Sequence, residues 1–116
     1  MLQRHKDLGA AAENLVVSKY VKSGFEVLAR NFRRPDTGEI DLIVKHANKL
    51  YFVETKFGRD FDAAAARLTQ SQRARIHKTA QRFLAETHRD QTTEMRFDAA
   101  LVTPEGGFQV LPGALN

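Results

Sequence analysis

Gly38-Glu39-Ile40-Asp41-Leu42-Ile43-Val44 and, after the break His46-Ala47-Asn48-Lys49, Leu50-Tyr51-Phe52-Val53-Glu54-Thr55-Lys56 decide how this chain is read. Both runs are rich in β-branched and aromatic residues and have the length of a strand. The break has a hairpin's length, although it carries no Asn-Gly turn pair. A loop centred on Ala47 and Asn48 pairs positions whose numbers sum to 95, as 47 and 48 do. That register sets Asp41 opposite Glu54 and Glu39 opposite Lys56. Alternation of side chains along a strand then puts Asp41, Glu54 and Lys56 on one face.

Such a face is costly for a hairpin with only a structural role. Like charges directly opposite one another destabilise a strand pair, and carboxylates among apolar residues lose solvation. A divalent cation between the two carboxylates reverses both penalties. Mg²⁺ takes oxygen ligands, typically one or two carboxylates together with waters and phosphate oxygens. Lys56 would hold a water or a phosphate beside it. For any one of the three residues, a half-exposed hairpin whose charges point into water is the better explanation; for all three on one face of otherwise apolar strands, a site is favoured.

Upstream of the hairpin, residues 7–23 are expected to form a helix, with Asp7 as N-cap and Gly24 just past the end. Leu8, Ala12, Leu15, Val16 and Tyr20 make its apolar stripe. Lys19 falls inside the stripe, so the helix is expected to tilt outward near its end. Glu13 lies at the rim, and the small residues Gly9 to Ala12 leave room for a backbone or ligand. Residues 25–33 read as an alternating strand with Phe25, Val27 and Ala29 on one face. Pro35 to Gly38 form a turn. Arg30, Arg33 and Arg34 gather there, either as a solvated cluster or as phosphate contacts.

Downstream, Phe57 to Ala66 reads as a mobile connector or a short helical turn. Thr69-Gln70-Ser71-Gln72 fits a capping box, with Thr69 as N-cap and Gln72 reaching back to it. The helix that follows runs to about Thr87 on a core stripe of Ile76, Ala80, Phe83 and Leu84. Arg75, Lys78 and Arg82 form a basic ridge on it, with Arg73 on another face. After a polar loop from His88 to Glu94, residues 95–102 and 108–111 read as strands. The order α-β-β-β-α-β-β gives a central mixed sheet flanked by helices, of the α/β or α+β kind.

Composition bounds the rest. At 116 residues the chain has the size of one domain, 42% hydrophobic and 28% charged, as a soluble globular protein is. Eighteen basic residues stand against 14 acidic ones, a net charge of +4 that favours an anionic partner, nucleic acid first. With no cysteine, disulfides and thiolate-bound zinc are excluded. The N-terminal residues lack the apolar core of a signal peptide and no run is long enough to span a membrane, so a cytoplasmic protein is expected. His5, His46, His77 and His88 show no metal-ligand spacing and read as surface residues. No Gly-rich phosphate loop or Gly-x-Ser-x-Gly elbow is present. The aromatic residues fall mostly at core positions, so no base-stacking platform is expected.

Glu13, then Gly38-Glu39-Ile40-Asp41, then Phe52-Val53-Glu54-Thr55-Lys56, then Arg96-Phe97-Asp98 stand in an order that resembles the YraN-like family, grouped with the PD-(D/E)XK nucleases and similar to archaeal Holliday-junction resolvases. The resemblance runs from about Leu8 to Pro112. It departs at Ala12, where such proteins usually carry Gly, and at Gly58, where they usually carry Arg. It implies a restriction-endonuclease-like fold and metal-dependent hydrolysis of phosphodiester bonds in DNA, branched or junction DNA included. Glu13, Asp41, Glu54 and Lys56 are the catalytic positions it implies, with Mg²⁺ or Mn²⁺ held by Asp41, Glu54 and the Thr55 carbonyl. Arg30, Arg33, Arg34, Arg59, Arg75, Lys78 and Arg82 would grip phosphates. Related nucleases use a glutamine near the start of the second helix, which implicates Gln70 or Gln72. A homodimer suits cleavage of two strands. A nucleic-acid-binding module without catalysis, or an interaction domain with a structural acidic cluster, stays open beside this.

Overall fold

The structure, a computed structural model, describes the backbone of residues 2–90 and 92–116 and the side chains from Gly9 on, Gln91 excepted. Along the chain come α1 (Leu2–Lys22), β1 (Glu26–Arg34), β2 (Gly38–His46), β3 (Lys49–Phe57), α2 (Phe61–Ala65), α3 (Gln70–Glu86), β4 (Glu94–Val102) and β5 (Phe108–Leu111). The helix before the first strand therefore starts at Leu2, and Asp7 does not cap it; the side chains of His5, Asp7 and Leu8 lie outside the described residues.

The strands form one five-stranded sheet in sequence order, β1-β2-β3-β4-β5. Among the described residues, β3 and β4 pair in parallel and the other neighbours antiparallel. A parallel pair needs a crossover, and α2 and α3 supply it. On one side of the sheet, Ile43, Phe52 and Phe97 pack with Ile76, Phe83 and Leu84 of α3. On the other, Leu42, Val44 and Val53 pack with Ala12, Val16 and Tyr20 of α1. A mixed α+β sheet between helices is thus the architecture, as the order of elements predicts.

Several local expectations change. Tyr20 is buried, so α1 stays on the sheet to its end rather than tilting away at Lys19. It stops in a Schellman turn, with Phe25 N–H donating to the Tyr20 carbonyl (3.1 Å) and Gly24 N–H to that of Val21 (3.0 Å). Gly24 takes the φ of +91° that this turn requires. The register of β1 shifts between Val27 and Ala29. Phe25 and Val27 therefore face α1, while Ala29 joins Leu28 and Phe32 on the α3 side. His77 is half-buried, stacked on Phe97 with ring centroids 4.1 Å apart.

Of the two forms expected for the segment after β3, the short helical turn is the one observed, as α2. Asp60 caps α2 by accepting from Ala63 N–H at 2.7 Å. Gly58 sits so close to this helix that a Cβ there would meet the Ala64 nitrogen at 2.5 Å.

The hairpin follows the summed register from His46↔Lys49 to Leu42↔Val53. Ala47 and Asn48 form its two-residue turn with φ of 49° and 65°, the conformation an Asn-Gly pair would adopt with less strain. Beyond Leu42 the ladder stops, so neither Asp41 with Glu54 nor Glu39 with Lys56 is a paired position. Ile40 and Ile43 both pack on the α3 side, so the alternation of β2 also breaks in this stretch. Asp41 sits at the break.

Candidate active site

Where β2 and β3 part, Asp41 does the work of the missing ladder. Its Oδ2 accepts from Thr55 N–H at 2.8 Å, so a side chain substitutes for a backbone acceptor across the gap. Glu54, one residue before Thr55, is only 7% exposed. Burial and then the adjoining Asp41 carboxylate push its pKa from 4.5 up to about 9, against a smaller opposing pull from Lys56. At neutral pH these two carboxyls thus favour sharing a proton, or a cation in its place.

Gln72 completes this arrangement from α3. Thr69 caps the helix by accepting from Gln72 N–H at 3.1 Å. The Gln72 side chain does not reach back to the cap, as a capping box would have it. It turns into the sheet and donates from Nε2 to Glu54 Oε2. Its other end, Oε1, is buried without a hydrogen-bond partner among the described residues. An orphaned amide oxygen beside two crowded carboxylates makes a set of hard oxygen donors, which suits Mg²⁺ or Mn²⁺.

Asp41, Glu54 and Gln72 border two adjoining clefts. One, of about 280 Å³, is also lined by Glu13, Thr55 and Lys56, so all four catalytic positions expected from the sequence meet there. Gly9 and Ala12 of α1 line it too. Burial, then Asp41 and Glu39, raise the pKa of Glu13, while Arg30 opposes them. Even so, no group of three or more histidines and acids is close enough to hold a metal among the described residues. The carboxylate core is Asp41 with Glu54, and Glu13 stands at its margin. The other cleft, of about 180 Å³, adds Glu39 and Arg75. Sequence reasoning gave Glu39 no role, although its position two residues before Asp41 was the available signal.

The basic residues divide into two groups. Arg30 donates to Asn14 Oδ1 (2.7 Å) and Arg33 to Glu39 (2.8 Å). Arg34 is bound to Glu86, and Arg82 to both Asp36 (2.6 Å) and Glu86 (3.1 Å). These pairs tie the turn after β1 to α3. Arg75 and Lys78 form no ion pair among the described residues, and Arg59 only a loose one with Asp60 (3.9 Å). Gln70 is the exposed first residue of α3 and, unlike Gln72, lines neither cleft. The basic ridge is therefore open next to the carboxylates and neutralised farther along.

A second buried carboxylate lies elsewhere. Asp98, wholly buried, accepts from Arg96 Nε (2.7 Å) and Nη2 (2.9 Å), the Tyr20 hydroxyl (3.2 Å) and Gly113 N–H (3.0 Å). Burial and the Asp98 charge raise the Tyr20 pKa. With its charge paired and its oxygens satisfied, Asp98 ties α1, β4 and the segment after β5 together.

Fold and site together define the class: a three-layer α+β domain whose central hairpin opens around two adjacent carboxylates, a lysine and an amide. The chain belongs to the uncharacterised protein family UPF0102, whose model matches residues 12–102. This is the YraN-like family that the motif order resembles. A UPF0102 protein of Ruegeria pomeroyi is 42% identical over 108 residues, covering 93% of this chain and 87% of its own. One of Roseobacter denitrificans is 37% identical over 93% of this chain and 83% of its own. One of Cereibacter sphaeroides is 42% identical over 91% and 90%. No helix among the described residues is long and apolar enough to cross a membrane.

Proposed function

We propose that this protein is a metal-dependent endonuclease that hydrolyses phosphodiester bonds in DNA, of the PD-(D/E)XK kind. The observation that carries the reading is the pair Asp41 and Glu54, crowded at the mouth of a parted hairpin with Lys56 in the same cleft. Two carboxylates held this way raise the energy of the protein unless a proton or cation joins them. A fold that keeps them in place supports a use for them.

Asp41, Glu54 and the Gln72 amide oxygen would hold Mg²⁺ or Mn²⁺, with the Thr55 carbonyl as a further ligand. The bound ion would supply charge for the phosphate and a more acidic water. The remaining steps belong to the chain. Asp41 is fixed by Thr55 N–H, and Glu54 by the Gln72 amide, so both present their oxygens without reorganising. Lys56 orients the attacking water and offsets negative charge that builds up on the phosphate. Glu13 accepts a hydrogen bond from a water at the margin of the cleft. Arg75 and Lys78 hold neighbouring phosphates without reading sequence. Cutting both strands of a duplex takes two such centres, hence two copies of the chain.

Cleavage of labelled linear duplex, single strand, flap and four-way junction, each with Mg²⁺, Mn²⁺ or EDTA, tests this. Metal-dependent cutting is expected from the wild-type protein and is lost in Asp41→Asn. Lys56→Ala should cut at least about a hundredfold more slowly, with thermal unfolding and most of the DNA affinity unchanged. Normal turnover in Lys56→Ala removes Lys56 from the mechanism. Salt-sensitive binding without cutting on any substrate favours a binding module instead.

A further inference from the structure

Lys19, Tyr20 and Ser23 at the end of α1, Phe25 before β1, Arg96 of β4 and Phe108 of β5 surround a pocket of about 320 Å³. That is at the lower end of the range for small-ligand sites. Its walls carry the aromatic rings of Tyr20, Phe25 and Phe108, and Lys19 and Arg96 bring cations to it. Phe25 and Phe108 are only partly buried, packed against the core cluster on the α1 side of the sheet. Lys19 is exposed, with Nζ 5.9 Å from the centre of the Phe108 ring.

Arg96 is the built element. Buried Asp98 grips it through Nε and Nη2, and its guanidinium lies 4.7 Å from the centre of the Tyr51 ring. The side chain is therefore locked, yet 30% exposed, with Nη1 not used in the Asp98 pair. A cation preorganised in this way binds an anion with little loss of side-chain freedom. Aromatic surface beside the exposed Lys19 ammonium and the remaining Nη1 donor of the Asp98-paired Arg96 matches one repeating chemistry: a planar base joined to a phosphate.

Position ties the pocket to the carboxylates. Tyr20 follows Glu13 by seven residues, two turns on the same side of α1, or about 10 Å along the helix. We infer that this pocket receives one unpaired nucleotide of a nucleic-acid strand, its base against Phe25 and Phe108 and its phosphate at Lys19 and Arg96. The role given to that nucleotide, holding a strand end or branch within reach of the cleft, rests on the nuclease reading. Binding itself does not.

The test is equilibrium binding of a short fluorescent single strand, a blunt duplex of the same length and deoxyadenosine monophosphate to the full chain in EDTA, so that cleavage plays no part. Lys19→Glu should weaken the single strand about tenfold or more, and the duplex much less. Phe108→Ala should do the same if it folds; Lys19 lies on the surface, so its variant keeps the test valid if Phe108→Ala does not. Equal losses for single strand and duplex overturn the proposal, as does unchanged single-strand binding in Lys19→Glu. Binding of the monophosphate with none of the single strand also overturns it. If Lys19→Glu loses the single strand selectively while no substrate is ever cut, the pocket stands and the nuclease reading fails.

Discussion

Glu54 is buried beside Asp41, and its pKa lies near 9 instead of 4.5. A carboxyl raised in this way stabilises the folded chain fully below pH 4.5, and that contribution is lost as pH rises toward 9. Without a cation, thermal stability should therefore fall across that window. Glu54→Gln should flatten the slope and raise the melting temperature at its alkaline end. Saturating Mg²⁺ should flatten the slope of the wild type. Melting curves across the window, with EDTA or Mg²⁺, decide this; an unchanged slope in the variant would assign it to another group. At this scale the sequence was partly legible. Asp41, Glu54 and Lys56 announce themselves because each interrupts an apolar run. Gln72 is implicated only through the family resemblance, since its spacing from Thr69 points to a local cap while its actual partner is 18 residues away. Local spacing carries no trace of a contact that the crossover creates.

Among the elements, the central hairpin was the most legible, because turn length and residue parity fix a register by arithmetic. What parity could not show is where the ladder ends. Asp41 captures Thr55 N–H from its side chain, and that takes a position out of the backbone pattern. The register shift in β1 escaped for a related reason: one extra residue reverses the faces of all that follow. The five residues of α2 are too few for a helical period, so the sequence leaves a connector and a short helical turn equally open. Its packing nonetheless predicts a large effect. Gly58→Ala would force a Cβ to 2.5 Å from the Ala64 nitrogen. It should destabilise the chain by roughly 1–3 kcal/mol in denaturant titration, the usual range for overpacking. A value near zero would mean that α2 can shift away.

Across the whole molecule, net charge is a poorer guide than the allocation of charge. Of the arginines near the site, Arg33, Arg34 and Arg82 are held by Glu39, Asp36 and Glu86, whereas Arg75 lines the cleft beside the carboxylates and, like exposed Lys78, forms no ion pair among the described residues. Nothing in a list of basic residues distinguishes these groups, because their partners arrive through the fold. Each phosphate contact contributes about 0.9 to the slope of log affinity against log salt on duplex DNA. Removing both Arg75 and Lys78 should therefore lower that slope by nearly two such contributions. Arg82→Ala should leave it almost unchanged. Equal effects from both variants would place DNA along the entire ridge.

The sheet also has two open borders, the nine residues of β1 and the four of β5. A long bare border invites a strand from another molecule. Here the long one bears Arg30, Arg33 and Arg34 and a register fault, while the short one runs into Pro112. Whatever else these arginines touch, they make β1 a poor template for strand addition, so the border resists growth into fibres.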